Sequence, residues 1–288
     1  MPMDDTDFEA VDAAVGAWQQ GDAFLGSVVN FVYVADLSKP LSEPALTEAA
    51  EGFEEGSLTS IGSPMVGFVV ISQTCDVVFP CRERPFIQIA ALQKVDETFA
   101  KEVRRGFRPG FAFVPALTDP PLVANLDLLM TVEKSVLIAL PLENRVRGVR
   151  NDAEARAFAE CLSRRFARFA FPDDFVAAVG QLQERIKKKH ARDTPEGRTY
   201  RSLREIRVSA QPSWNAENPL IEFLFVLEHP NELDQSVDDE IGKLMDRFVP
   251  TGVFQQPRHR IVTLQDMSAA LYLSTDRLDL DHLSRRSR

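Results

Sequence analysis

The chain has 288 residues, of which 44% are hydrophobic and 26% charged, with 14 Gly and 18 Pro. That usage excludes disordered, collagenous and coiled-coil chains and is enough for a packed core, with two domains the expectation at this length. The net charge of −10 argues against a protein that coats nucleic acid over its whole surface.

No uncharged apolar run approaches the roughly 18 residues of a membrane span. The opening MPMDDTDFEA is acidic where a secretory signal would be basic, so a cytoplasmic protein without membrane contact is expected. Cys75, Cys81 and Cys161 are the three cysteines, an odd number that favours reduced thiols over a disulfide framework.

Charge is segregated along the chain. Residues 1–144 carry 9 Lys+Arg against 21 Asp+Glu, residues 145–209 carry 16 against 9, and residues 210–288 carry 8 against 13. The basic middle stretch points either to an anionic ligand or to pairing with an acidic surface, whether on a partner or on the N-terminal domain.

In chain order, Phe8, Val11, Val15 and Trp18 fall at helical spacing behind Asp7 as a cap. Gly26 to Val34 is β-branched and aromatic and reads as one strand, whereas residues 36–63, with Pro, Ser, Gly and acidic residues, read as a surface loop. The two-sided apolar run Gly67 to Ser72 reads as a central strand that ends in the polar pentad Ser72-Gln73-Thr74-Cys75-Asp76. Strands are expected at 86–92, 111–114 and 122–126, with 131–140 continuing the sheet. Short strands with little helix between them imply an antiparallel barrel or sandwich.

Beyond residue 150 the period changes. Phe158, Leu162, Phe166 and Phe169 mark one helical face, with Arg156, Arg164, Arg165 and Arg168 around it. Pro172, Asp173 and Asp174 start a second helix that buries Phe175, Val179, Leu182 and Ile186 and ends in Lys187-Lys188-Lys189-His190. Strands at 205–209 and 221–227, a helix at 237–248 and a β segment around 259–273 complete the expected α+β class. The domains are expected over 1–145, a barrel with its N-terminal helix, and 146–288, a basic helical pair plus a small α+β domain.

The segments Gly26 to Val34, Phe68 to Ser72, Ile87 to Leu92 and Leu126 to Leu137 follow the strand order of the MazF and PemK toxins of toxin-antitoxin systems, which the N-terminal half resembles. The resemblance implies an SH3-like barrel and a toxin or defence setting with RNA as a ligand. The family's catalytic Arg and its catalytic Thr or Ser fall at Met65-Val66 and Leu92 here, so its RNase activity is not expected to carry over.

Two candidate sites follow from the residues. Cys75, with Asp76 beside it, is a candidate nucleophile if a His takes its proton, and His190, His229, His259 and His282 are the choices. A structural Cys at a strand end is the competing reading. Arg164, Arg165, Arg168, Lys187, Lys188, Lys189, Arg192 and Arg198, with Tyr200 near, form a candidate phosphate-contacting surface, with solvated or protein-facing charges as its counterpart.

Cys75 and Cys81 are spaced too widely for the usual zinc pair. Asp276, Asp279 and Asp281 lack the Gly and Glu of a calcium loop. No phosphate-binding loop, serine elbow or His-Glu-x-x-His helix occurs, so neither a metal nor a cofactor is expected. Whether the chain is an enzyme stays open.

Overall fold

The structure is a computed structural model that describes residues 4–26, 29–54, 56, 58–106, 108–167, 169–230, 234–249, 252 and 254–278. It divides into two compact units, 1–166 and 167–288. The helix expected to open the C-terminal domain therefore lies in the first unit.

The first unit begins with α1 (Asp5–Val15). Asp4, rather than Asp7, is its cap: the Asp4 carboxylate accepts from Asp7 N at 3.0 Å while Asp7 accepts from Asp4 N at 2.9 Å, a reciprocal arrangement that satisfies two otherwise orphaned amides. The strand expected over 26–34 is two strands, β1 (Ala23–Leu25) and β2 (Asn30–Asp36), which enter different sheets. Gly26 between them has φ +141°, outside the range of a continuing L-residue strand. Residues 27 and 28 of that expected strand lie outside the described residues.

The expected loop over 36–63 also folds. Ser42 accepts from Ala45 N, and Pro44 sits in the first turn of α2 (Glu43–Glu51). β3 (Leu58–Pro64) then pairs antiparallel with β2, Tyr33 opposite Ile61. Here cap chemistry and cross-strand pairing override a composition that reads as polar loop.

The remaining elements of this unit are β4 (Gly67–Val70), α3 (Thr74–Val77), β5 (Phe86–Lys94), α4 (Glu97–Arg104), β6 (Phe111–Thr118), β7 (Pro121–Glu133), β8 (Arg145–Val146) and α5 (Asp152–Phe166). The strands expected at 67–72 and 86–92 are neighbours, with Val69 opposite Ala90 in antiparallel register. β7 is one long strand that ends at Glu133. Residues 134–137 turn into a 3₁₀ helix instead of continuing the sheet.

Among the described residues these strands form a six-stranded antiparallel sheet in the order β6-β7-β5-β4-β1-β8, curled into a half-barrel. Alternation sends Ala23, Val69, Ala90 and Leu92 to the face covered by Phe158 and Leu162 of α5. Phe24, Phe68, Val70 and Ile89 point to the opposite face with Val11, Val15 and Trp18. Burial on both faces explains why β4 reads as an unbroken apolar run.

In the second unit are α6 (Asp173–His190), α7 (Pro195–Ser202), β9 (Leu203–Gln211), β10 (Leu220–Leu227), α8 (Gln235–Met245), β11 (Arg258–Thr263), α9 (Ala269–Leu273) and β12 (Asp276–Arg277). The sheet order is β11-β10-β9-β12, with β10 and β11 parallel across the α8 crossover. The β segment expected through 273 stops at Thr263, and 269–273 is helical behind Ser268, whose hydroxyl accepts from Leu271 N.

Phe175, Val179 and Leu182 of α6, Phe223 and Phe225 of β10, and Ile241 and Leu244 of α8 share one core. Of the aromatic face expected on α5, Phe158 and Leu162 are buried but Phe166 is 64% exposed. Phe169 packs instead on Phe171 and Trp214 of the second unit, with ring centroids 5.1 and 5.7 Å away. The whole is an α+β protein.

Candidate functional site

The polar pentad is a tight turn off the end of β4. Ser72 Oγ accepts from Gln88 N at 2.8 Å, Thr74 Oγ1 accepts from Gln20 N at 3.1 Å, and residues 74–77 make one helical turn. Cys75 is exposed, with its thiol 3.6 Å from Gln73 Oε1. Asp76 forms an ion pair with Arg84.

The first unit contains no histidine, since the first in the chain is His190. Within its own unit Cys75 therefore lacks the imidazole that would take its proton. Thr74, not Cys75, faces a hollow of about 240 Å³, together with Gln20 and Arg147.

Beneath this turn is Lys134, 1% exposed, whose ammonium donates to Asp76 O at 2.9 Å and Phe79 O at 2.5 Å. Burial pushes its pKa below the usual lysine value, with Asp12, Cys81 and Asp76 pulling the other way. Cys81 is buried, its thiol 3.6 Å from Phe8 O and its amide bonded to Asp12 Oδ1 at 2.8 Å. Desolvation and then Asp12 raise that thiol's pKa. Cys75 and Cys81 thus differ in surroundings, and among the described residues no cluster of three His, Cys, Asp or Glu is arranged for a metal. Asp276 is within 3.4 Å of Trp214 Nε1, while Asp279 and Asp281 lie outside the described residues.

The basic residues fall into two groups, one in each unit. Arg164 donates to Gly106 O and Arg165 pairs with Asp127, both inside the first unit. Arg168 lies outside the described residues. The second group lies at the end of α6, where Lys187, Lys188, Lys189 and Arg192 line an open concavity of about 910 Å³ with Glu184 and Arg185.

The sequence places them there. Acidic Asp173 and Asp174 sit at the amino end of α6 and the cations in its last turn, each complementing the helix dipole. Arg201 then donates to His190 O at 2.5 Å and to Arg192 O at 2.9 Å, fixing the turn that follows.

Partners decide which of these charges face solvent. Glu196 takes Arg185 at 2.5 Å and Lys189 at 3.7 Å, and Asp193 takes Arg198 at 2.9 Å. Lys188 and Arg192 are exposed and have no partner among the described residues. Tyr200 is buried and donates to Glu196 Oε1 at 2.9 Å, so it is no stacking platform. Burial raises the Glu196 pKa, but Tyr200, Arg185 and Lys189 together hold it below its ordinary value.

Sequence reasoning found the cationic run but not α7 (Pro195–Ser202), whose Glu196 sorts paired from unpaired charges. The signal available was Thr194-Pro195-Glu196, a cap with Pro in the first turn. Comparison with protein-family models, with curated proteins and with solved structures gives no match. No helix among the described residues is long and apolar enough to cross a membrane.

Proposed function

We propose that the protein is a nucleic-acid-binding component that holds a phosphate backbone at the end of α6. The observation that carries this reading is the convergence of Lys187, Lys188, Lys189 and Arg192 around one open concavity, with Lys188 and Arg192 unpaired. Cations without aromatic platforms position a backbone electrostatically and read no bases. Because Arg164 and Arg165 serve contacts within the first unit, the proposed surface is one helix end rather than a helical pair.

An SH3-like arrangement of the half-barrel, and with it a toxin or defence setting, rests on the resemblance in strand order. The adjacent antiparallel pairing of β4 and β5 is in keeping with it. The RNase activity of that family is not part of the proposal, since Met65 and Leu92 occupy its catalytic positions. Hydrolysis or group transfer at Cys75 is the second reading and has the exposure of that thiol in its favour.

The test is fluorescence anisotropy with several unrelated RNA and DNA oligonucleotides at about 50 mM salt, where electrostatic binding is strong. Similar affinity across sequences is expected. No binding to any of them contradicts the proposal.

A further inference from the structure

The hollow that Thr74 faces belongs to the first unit and is chemically distinct from the end of α6. Gln19, Gln20, Thr74, Arg147, Arg150 and Asn151 line it. Two chain segments must approach closely to build it. A Cβ on Gly148 would lie 2.0 Å from Gly21 O and 2.7 Å from Val114 Cγ1, and one on Gly21, at φ +88°, would lie 2.8 Å from Val149 Cγ1. Glycine at both positions is what lets residues 19–22 and 147–151 share a wall.

That wall is held firmly. Gly21 N donates to Val70 O at 2.8 Å and Gln20 Nε2 to Ile71 O at 2.8 Å. The fully buried Asp22 carboxylate pairs with Arg145 at 2.9 Å.

Donors dominate the lining. Thr74 Oγ1 already accepts from Gln20 N, which leaves its own hydrogen to donate. Arg147 is exposed and makes no hydrogen bond or ion pair among the described residues, its charge acting only at longer range on the Asp22 carboxylate. Arg150 gives two N–H groups to Glu154, at 3.2 and 2.7 Å, out of the five a guanidinium carries. Asn151 Oδ1 accepts from Glu154 N at 3.0 Å, leaving its amide hydrogens. The carboxylate that also lines the hollow, Asp152, ion-pairs with Arg156 at 3.6 Å.

We propose that this hollow binds a small phosphate-type oxyanion, with Arg147 as its principal ligand and Thr74 and Asn151 as hydrogen-bond donors. Donors arriving from two chain segments, at 74 and at 147–151, suit a tetrahedral anion, which offers acceptors in several directions, better than a planar carboxylate. At about 240 Å³ the hollow falls below the roughly 300 Å³ at which pockets begin to enclose drug-sized ligands, so it takes one anionic group and little more. The proposal does not rest on nucleic-acid binding at α6.

The experiment is isothermal titration calorimetry of inorganic phosphate into the full chain at low salt, with Lys187, Lys188, Lys189 and Arg192 all replaced by Gln so that the α6 surface cannot respond. Binding in the millimolar range or tighter is expected, weakened about tenfold by Arg147→Gln and several-fold by Thr74→Val. Arg147 is exposed, so its replacement leaves the fold intact and decides the matter even where the Thr74 variant does not fold. No heat of binding up to about 10 mM phosphate, or binding indifferent to Arg147→Gln, overturns the proposal.

Discussion

Lys134 sets the physical problem at the scale of single residues: a buried ammonium is tolerated because two carbonyls, Asp76 O and Phe79 O, accept its hydrogen bonds and the acidic Asp12 and Asp76 favour its charge. Lys134→Met keeps the apolar stem but leaves both carbonyls unsatisfied, at about 1–3 kcal/mol each. A clearly lower urea midpoint is expected, and an unchanged one contradicts the assignment. Cys75→Ala is the contrast: an exposed thiol with one weak contact. The variant should match the parent in both urea midpoint and nucleic-acid affinity, and a large loss of any catalytic turnover with unchanged stability would favour the Cys75 reading. Neither role was legible in the sequence. Val132-Glu133-Lys134-Ser135 reads as a continuation of the sheet, in which a buried ammonium leaves no signature, and within the pentad Cys75 is the more reactive group although Thr74 faces the hollow.

Among the elements, α6 and α7 are tied by Glu196, which joins Arg185, Lys189 and Tyr200. The pH consequence has two limbs. Glu196 titrates in the folded state below its ordinary 4.5, so its contribution to stability is present above that value and is lost as pH falls through the folded pKa. Tyr200 titrates above its ordinary 10.0, through burial first and Glu196 second, so its contribution is present below that value and fades as pH rises beyond it. The thermal stability of the parent should therefore fall at both extremes, and Glu196→Gln should flatten the acid limb. An acid limb of the same steepness in that variant would refute the coupling. Periodicity revealed α5, α6 and the strands β4, β5, β9 and β10, because each buries a regular face or an unbroken apolar run. It missed α2, α7 and the break at Gly26, which depend on a cap, a Pro in the first turn and a positive φ. Such features are local and carry no hydrophobic period.

Over the whole molecule, the charge segregation visible in the sequence acquires a physical division. The basic stretch beginning at Arg145 straddles the boundary between the units at residues 166 and 167. Its first part serves the half-barrel: Arg145 holds Asp22, Arg164 holds Gly106 O and Arg165 holds Asp127. Its later part presents cations at the end of α6. Counting charges along the chain could not separate these roles, because partner choice is a tertiary property.

The central claim is that the cations at the end of α6 contact phosphates, and the steepness of log affinity against log salt measures it most directly. The parent should show a slope of roughly −0.7 to −0.9 per contacted phosphate, whichever oligonucleotide is used. Replacing Lys187, Lys188, Lys189 and Arg192 by Gln should make that slope shallower by up to about four contacts' worth, with the fold retained. A variant that binds with the parent's affinity and the parent's salt slope would contradict the account.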